Sequence, residues 1–158
     1  MTYRISENIS IPFKVVVIFT ETKKDTIEYR IKLKATYDKT YTAQNIQMLI
    51  PLPNYVDKRK TNVGIGKAKF ESGRNGIVWR IKKFQGGAEA LFRCDARLSK
   101  KVKDRNWTKP PINLTFQIPM FTSSGIQIRF LKVFEKEGYK PNKWIRYMTK
   151  SGDFIHRI

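Results

Sequence analysis

The stretch TIEYRIKLKA, residues 26–35, alternates strictly between polar and apolar side chains. Successive side chains of a strand point to opposite faces of a sheet, so this period of two predicts a half-buried strand with a basic outer face. The same alternation recurs around Trp79, Cys94 and Leu114. No long run carries an apolar stripe at the helical spacing of about 3.6 residues. The chain is therefore expected to be built from strands.

Turn-forming residues separate the alternating runs at regular intervals. PLPN at 51–54 closes one run, while SGRNG at 72–76 and the glycine pair at 86–87 have the composition of hairpin turns. The proline pair at 110–111 begins another run, where a missing N–H group does no harm. About seven to nine short strands at this spacing predict an all-β fold, an antiparallel β-sandwich.

Two stretches depart from the regular pattern. IQIRF at 126–130 alternates, but the phase slips by one residue at Leu131 and Val133. We expect a strand here, with a β-bulge or a change of pairing partner at the slip. Residues 100–109 are the most polar stretch and predict a basic loop, with Trp107 packed back on the body of the domain.

The composition points to one small, strongly basic domain. Among 158 residues, 32 are Lys or Arg and 13 are Asp or Glu, which leaves a net charge of +19. Such a surplus repels itself, and it favours an anionic partner: nucleic acid, a membrane surface or an acidic protein. A surplus kept only for solubility is the other explanation, although it is normally smaller. The longest apolar run, Val15 to Phe19, is far shorter than the roughly 20 residues that span a bilayer.

The residue types needed for catalysis or metal binding are scarce. The single cysteine, Cys94, excludes an internal disulfide, fits a reducing compartment and lies on the apolar phase of its strand. With His156 as the only histidine, a zinc site of the usual ligand count is excluded. The chain has no nucleophile elbow, Walker A loop or dinucleotide fingerprint, and GIG at 64–66 is interpreted as a turn or a bulge. We therefore predict a non-enzyme with no catalytic residue, metal or cofactor.

Several motifs in a fixed order resemble one family. The run IPMFTSSGIQIRFLKV at 118–133 resembles the penultimate strands of clathrin-adaptor medium chains, and KWIRY at 143–147 resembles their final strand. Upstream, GKAKF at 66–70, IVWRIK at 77–82 and KPPI at 109–112 occur in the family's order. The chain is thus similar to the mu homology domain of a heterotetrameric adaptor-protein complex, over nearly its whole length.

The resemblance implies a domain organisation. A mu homology domain consists of two β-sandwich subdomains, the second inserted into the first. By this comparison residues 1–121 correspond to the inserted subdomain, and residues 122–158 to the returning C-terminal strands of the first. The family's opening strands and its longin-like domain would then lie before Met1.

The resemblance also implies a cargo site. The family binds Tyr-x-x-Φ sorting signals, with Φ a bulky apolar residue, in the tails of membrane proteins. Trp144 and Arg146 match the positions that hold the tyrosine, and an indole face with an arginine stem can sandwich a phenol ring. Ile128, Leu131 and Ile145 match positions that line the Φ pocket. An extended peptide would add to a sheet edge, and its side chains would supply specificity.

A second implied surface is basic. Lys67 and Lys69 share one strand face and Arg80 and Lys82 share another, matching a face that touches phosphoinositide head groups in the plasma-membrane class. The third alternating lysine of that class is replaced by Glu71, and the basic strand at 30–34 could widen the patch.

Implied partners are cargo tails, the two large chains and the small chain of the complex, an anionic membrane surface and, indirectly, clathrin. The implied location is the cytosolic face of coated pits or of Golgi and endosome vesicles. The motifs leave the adaptor class open. The alternative from the residues alone is a basic β-domain that binds single-stranded nucleic acid by stacking bases on aromatic side chains.

Overall fold

A computed structural model describes residues 2–22, 25–99, 107–134, 136 and 138–158. These residues form ten strands and one turn of 3-10 helix, so the all-β prediction is confirmed. The strands are β1 (Phe13–Thr22), β2 (Thr26–Ala35), β3 (Thr42–Pro51), β4 (Val56–Val63), β5 (Lys67–Glu71), β6 (Gly76–Gln85), β7 (Glu89–Leu98), β8 (Ile112–Pro119), β9 (Met148–Lys150) and β10 (Phe154–His156).

The strands form two antiparallel sheets. One has four strands in the order β1-β2-β7-β4, and the other has the order β10-β8-β3-β6-β5, with β9 also paired to β8. Aromatic rings join the two sheets across the core: the centroids of Trp79 and Phe92 are 5.6 Å apart, and those of Phe13 and Phe116 are 4.8 Å apart. These contacts between facing sheets are those of the predicted sandwich.

The stretch at 26–35 forms a half-buried strand, as its alternation predicts. The apolar side chains of β2 are all buried in the core, and they are Ile27, Tyr29, Ile31, Leu33 and Ala35. Cys94 is also fully buried, as predicted for a small core residue, and this burial raises the pKa of its thiol to about 12. Two polar groups that enter the core have hydrogen-bond partners: the Tyr29 hydroxyl donates to the Pro51 carbonyl, and the Trp79 indole N–H donates to the Ile65 carbonyl.

The two predicted hairpin turns differ in outcome. Residues 72–76 do connect the antiparallel pair β5 and β6, and Asn75 adopts a left-handed φ of 47°. The glycine pair at 86–87 instead carries the chain from β6 in one sheet to β7 in the other, so the hairpin prediction is wrong there. A Cβ atom on Gly86 would clash with the Asp38 carbonyl oxygen. The glycine is needed for this close approach, which sequence composition does not distinguish from a hairpin turn.

The predicted strand at 126–133 is absent from the described residues between β8 and β9. Phe130 is 76% exposed and Phe134 is 92% exposed, so this segment contributes little to the core. A strand needs a neighbouring strand with which to form hydrogen bonds. The edge of β8 that is not paired with β3 is already occupied by β9 and β10. Trp107 does pack on the body of the domain, with its ring 6.1 Å from that of Phe19, while residues 100–106 of the predicted basic loop lie outside the described residues.

Candidate functional site

The two residues predicted to hold a tyrosine lie just before β9 and not on a strand. Trp144 is 75% exposed and Arg146 is also exposed, whereas β9 begins only at Met148. The prediction that KWIRY forms the final strand is therefore wrong for this chain. Packing in the core, the usual role of a tryptophan in a β-sandwich, is excluded for Trp144 because most of its indole faces solvent.

Tyr147 anchors this segment to the rest of the domain. The Met120 N–H group donates to the Tyr147 carbonyl at 2.9 Å, and the Ile128 N–H group donates to the Tyr147 hydroxyl at 2.8 Å. The neighbouring Thr149 hydroxyl donates to the Phe121 carbonyl at 2.6 Å. These bonds bring the backbone of Ile128 close to the end of the segment that carries Trp144 and Arg146.

The residues predicted to line the Φ pocket are only partly covered. Ile128 is 50% exposed, Leu131 is 45% exposed and Ile145 is half-buried. Among the described residues, no hydrogen bond or ring contact joins Trp144 to Arg146 or to Leu131. The structure therefore brings the backbone of Ile128 to the end of the segment that carries Trp144 and Arg146, and it leaves the residues of the predicted site largely open to solvent.

The four predicted phosphoinositide-binding residues lie together on one face. In the antiparallel register of β5 and β6, Lys67 lies directly opposite Arg80. Directly opposite residues share a side of the sheet, and so do residues two apart on a strand. Lys67, Lys69, Arg80 and Lys82 are consequently exposed on a single outer surface of the six-stranded sheet, which we call the β5–β6 basic face. The sequence alone left them on two separate strand faces.

Glu71 partly neutralises this face. Its carboxylate accepts a hydrogen bond from the Arg80 guanidinium, and its other oxygen lies 3.6 Å from Nε of Arg74. Val78 lies two residues before Arg80 on the same side of β6, and its side chain is fully buried. The hydrogen bond to Glu71 holds the Arg80 side chain along the sheet. Glu71 is the acid that stands where the third alternating lysine was expected.

The basic strand at 30–34 does not extend the β5–β6 basic face. It belongs to β2 in the four-stranded sheet, so Arg30, Lys32 and Lys34 lie on the opposite outer surface of the sandwich. The expectation that they widen the patch is wrong, because β5 and β2 belong to different sheets.

One surface feature was missed by the sequence reasoning. A cleft of about 650 Å³ lies on the outer face of the four-stranded sheet, and the aliphatic side chains of Val16, Ile18 and Leu91 line it. The sequence held a signal for this feature. The run of five apolar residues from Val15 to Phe19 makes both faces of β1 apolar, and only one face can enter the core.

Residues 1–158 match the family described as the adaptor complexes medium subunit family. The chain belongs to this family. It is similar to the AP-2 complex subunit mu of Dictyostelium discoideum, with 39% identity over all of the chain and 36% of that protein. It is also similar to the AP-2 complex subunit mu of Schizosaccharomyces pombe (41% identity, with the same shares covered) and to the AP-1 complex subunit mu-2 of Homo sapiens (34% identity over 98% of the chain and 36% of that protein).

The fold of this medium-subunit chain has a solved counterpart. It resembles the Fcho1 mu homology domain of Danio rerio, which was solved with a bound Eps15 peptide. The TM-score is 0.58 over 90% of this chain and 43% of that one, at 8% identity, so the likeness concerns the fold. The resemblance inferred from the motifs is therefore confirmed, both for the family and for the mu homology fold.

Family membership also bears on the chemistry. Medium subunits are non-enzymatic adaptors, in agreement with the prediction of a non-enzyme. His156, the single histidine, is half-buried in β10 opposite Ile112. Within the described residues, no helix is long and apolar enough to cross a membrane.

The chain spans about a third of the length of the medium subunits that it matches.

Proposed function

We propose that this chain is the cargo-binding part of an adaptor-complex medium subunit, and that it recognises Tyr-x-x-Φ signals in membrane-protein tails during coated-vesicle formation. The observation that carries the proposal is the exposure of Trp144, two residues before an exposed Arg146. Aromatic and arginine side chains are the usual anchors of peptide sites, so an exposed indole two residues from an exposed guanidinium supports a peptide-binding role.

The proposed binding mode uses one side chain for each part of the signal. The phenol ring of the cargo would stack between the indole of Trp144 and the stem of Arg146, with the guanidinium near the phenolic oxygen. The Φ side chain would cover Ile128, Leu131 and Ile145. Burying each anchor would contribute about 1.5–3 kcal/mol, before the ordering of the tail is subtracted. Weak and reversible binding suits a cargo receptor.

We also propose the domain division at residue 121. Residues 1–121 would form the inserted sandwich and residues 122–158 would return to a first subdomain. The apolar side chains exposed between β8 and β9 support this, since they form a surface that further strands of a longer medium subunit could cover. They are Ile128, Phe130, Leu131, Val133 and Phe134.

The β5–β6 basic face would meet a phosphoinositide membrane on the cytosolic side of the vesicle. Each cation near an anionic leaflet contributes about 1 kcal/mol, and the contribution falls as salt rises. The pairing of Arg80 with Glu71 leaves Lys67, Lys69 and Lys82 as the main contributors.

The higher identity to the two AP-2 relatives supports the AP-2 class over AP-1. The other subunits of the complex, and clathrin through them, are the partners that follow.

Fluorescence polarisation with a labelled Tyr-x-x-Leu peptide tests the cargo proposal. We expect binding that is lost when the peptide tyrosine becomes alanine, and that weakens at least tenfold in the Trp144→Ala variant. Ile155→Ala is the control, because Ile155 is 48% exposed on β10, outside the predicted site. Equal binding by Trp144→Ala and the unmodified chain would reject the proposal. Salt-dependent binding of mixed-sequence RNA, with no peptide binding, would favour the nucleic-acid alternative.

A further inference from the structure

The outer face of the four-stranded sheet exposes aliphatic side chains where a solvated sheet normally shows polar ones. Val16 is 44% exposed, Ile18 is 56% exposed and Leu91 is 63% exposed, and all three line the cleft of about 650 Å³. We call this cleft the apolar trough. Three exposed aliphatic side chains in one cleft indicate a surface that is covered in use, whereas single ones scattered over a surface would not.

Strand pairing places the trough across the sheet. Val16 on β1, Lys32 on β2 and Leu91 on β7 lie in one row, and Ile18 begins the next row. Neighbouring strands lie about 4.8 Å apart, so Val16 and Leu91 are separated by about 10 Å. This width accepts one bulky apolar side chain above the methylene stem of Lys32.

Ion pairs hold the long cationic side chains away from the middle of the trough. The Lys32 ammonium lies 2.7 Å from a carboxylate oxygen of Glu89, which is one row towards the start of β7. Arg30 lies 2.6 Å from Glu28, one row in the opposite direction, and Arg93 lies 3.0 Å from the same carboxylate. The charged groups therefore diverge towards the two ends of the trough, and the aliphatic surface between them stays open.

The charge of this face selects the kind of partner. At the paired positions of the four strands, eight cations point outward against three acids, a surplus of five positive charges. The cations are Lys14, Arg30, Lys32, Lys34, Lys58, Lys60, Arg93 and Arg97, and the acids are Glu28, Glu89 and Asp95. A second copy of this chain is a poor occupant, because two molecules of net charge +19 repel each other.

We propose that the apolar trough docks an acidic peptide segment that carries a bulky apolar side chain. The apolar side chain fills the space between Val16 and Leu91, and flanking carboxylates meet the cations at both ends. A bilayer fits this surface less well, since its flat interface would leave the bottom of a cleft empty, whereas a side chain can enter it. The site lies on β1, β2, β7 and β4, so it is separate from the proposed Tyr-x-x-Φ site before β9.

Fluorescence polarisation of the full chain with designed peptides tests this docking surface. The probe is a fluorescein-labelled peptide of two leucines flanked on each side by glutamates. Two control peptides replace the leucines by alanine or the glutamates by lysine. We expect the acidic leucine peptide to bind at least tenfold more tightly than either control, with affinity falling as salt rises.

Matched variants locate the binding. Leu91→Glu should lower the affinity for the probe peptide at least tenfold. Ile155→Glu, the same kind of substitution on the outer face of the other sheet, should leave this affinity unchanged. Circular dichroism shows whether each variant folds, and Ile18→Ser replaces Leu91→Glu if the latter does not. A Trp144→Ala variant should bind the probe normally, which separates this result from a failure of the cargo proposal.

Three results would overturn the proposal. The first is equal affinity for the lysine and glutamate peptides, and the second is unchanged affinity in both trough variants. The third is that Leu91→Glu weakens binding to vesicles or to a second copy of the chain, while it leaves binding of the acidic leucine peptide unchanged. Loss of binding to phosphatidylserine vesicles would then assign the trough to a membrane, and loss of a dimer in sedimentation would assign it to a second copy of the chain.

Discussion

Reversing the charge of Glu71 should strengthen membrane binding by the β5–β6 basic face. In the structure the Glu71 carboxylate holds the Arg80 guanidinium, which lies directly opposite Lys67. The variant Glu71→Lys removes this acid, releases Arg80 and restores the third alternating lysine of the plasma-membrane class. The ion pairs of Glu71 are with Arg80, whose side chain is 44% exposed, and Arg74, 54% exposed, so their loss should change the free energy of unfolding by less than about 1 kcal/mol.

The expected gain follows from the two charges that change. A released Arg80 and a new lysine each contribute about 1 kcal/mol near an anionic leaflet, or about 2 kcal/mol together. Each 1.4 kcal/mol corresponds to about a tenfold change in a dissociation constant, so the vesicle dissociation constant should fall about 30-fold at low salt. Glu71→Gln releases Arg80 without adding a charge and should give about a fivefold change. Both gains should shrink as salt screens the surface.

Co-sedimentation with phosphatidylcholine vesicles that contain a phosphatidylinositol bisphosphate measures this change. The matched control is Glu89→Lys, because Glu89 also pairs with two cations, Lys32 and Lys34, but on the opposite outer face of the sandwich. If the membrane meets the β5–β6 basic face, Glu89→Lys should raise binding much less than Glu71→Lys. Equal gains would show that net charge alone drives binding, and the assignment of this face would be wrong.

Two further predictions concern the core and its surroundings. Phe13→Ala removes a ring whose centroid lies 4.8 Å from that of Phe116 and 5.5 Å from that of Tyr37. It should therefore lower the free energy of unfolding, measured in urea, by about 3–5 kcal/mol. Phe134→Ala should change that free energy by less than about 0.5 kcal/mol, because Phe134 is exposed. Similar costs for both would contradict the boundary of the core. Burial raises the pKa of the Cys94 thiol to about 12, so at pH 8 the thiol stays protonated, and mass spectrometry should find no iodoacetamide adduct until urea is added. Rapid alkylation of the native chain would contradict its burial.

Side-chain alternation predicted the core strands well. The pattern at 26–35 assigned five core residues of β2, and the same reading placed Cys94 inside. Alternation works here because one face of each of these strands enters a single core, so burial and sequence period must agree. It failed at 126–130, where Phe130 follows the same pattern but remains 76% exposed. A pattern shows that a strand could bury one face, whereas the available partners decide whether it does.

The candidate sites were predictable to different degrees. The matched positions of Trp144 and Arg146 came from motif order, and the structure adds that both are exposed and lie just before β9. The interaction of Arg80 with Glu71 was not predicted, because the hairpin turn expected at 72–76 left the register of β5 and β6 open, and that register brings the two side chains together.

The amino-acid sequence by itself determined the strands of the sandwich, the basic character of the chain and its family, since these depend on local period, composition and motif order. The tertiary structure alone decided which cations share a surface. The β5–β6 cations meet on one side and those of β2 lie on the other, because contacts between residues far apart in the chain set the sheet order and place β2 and the β5–β6 hairpin in different sheets.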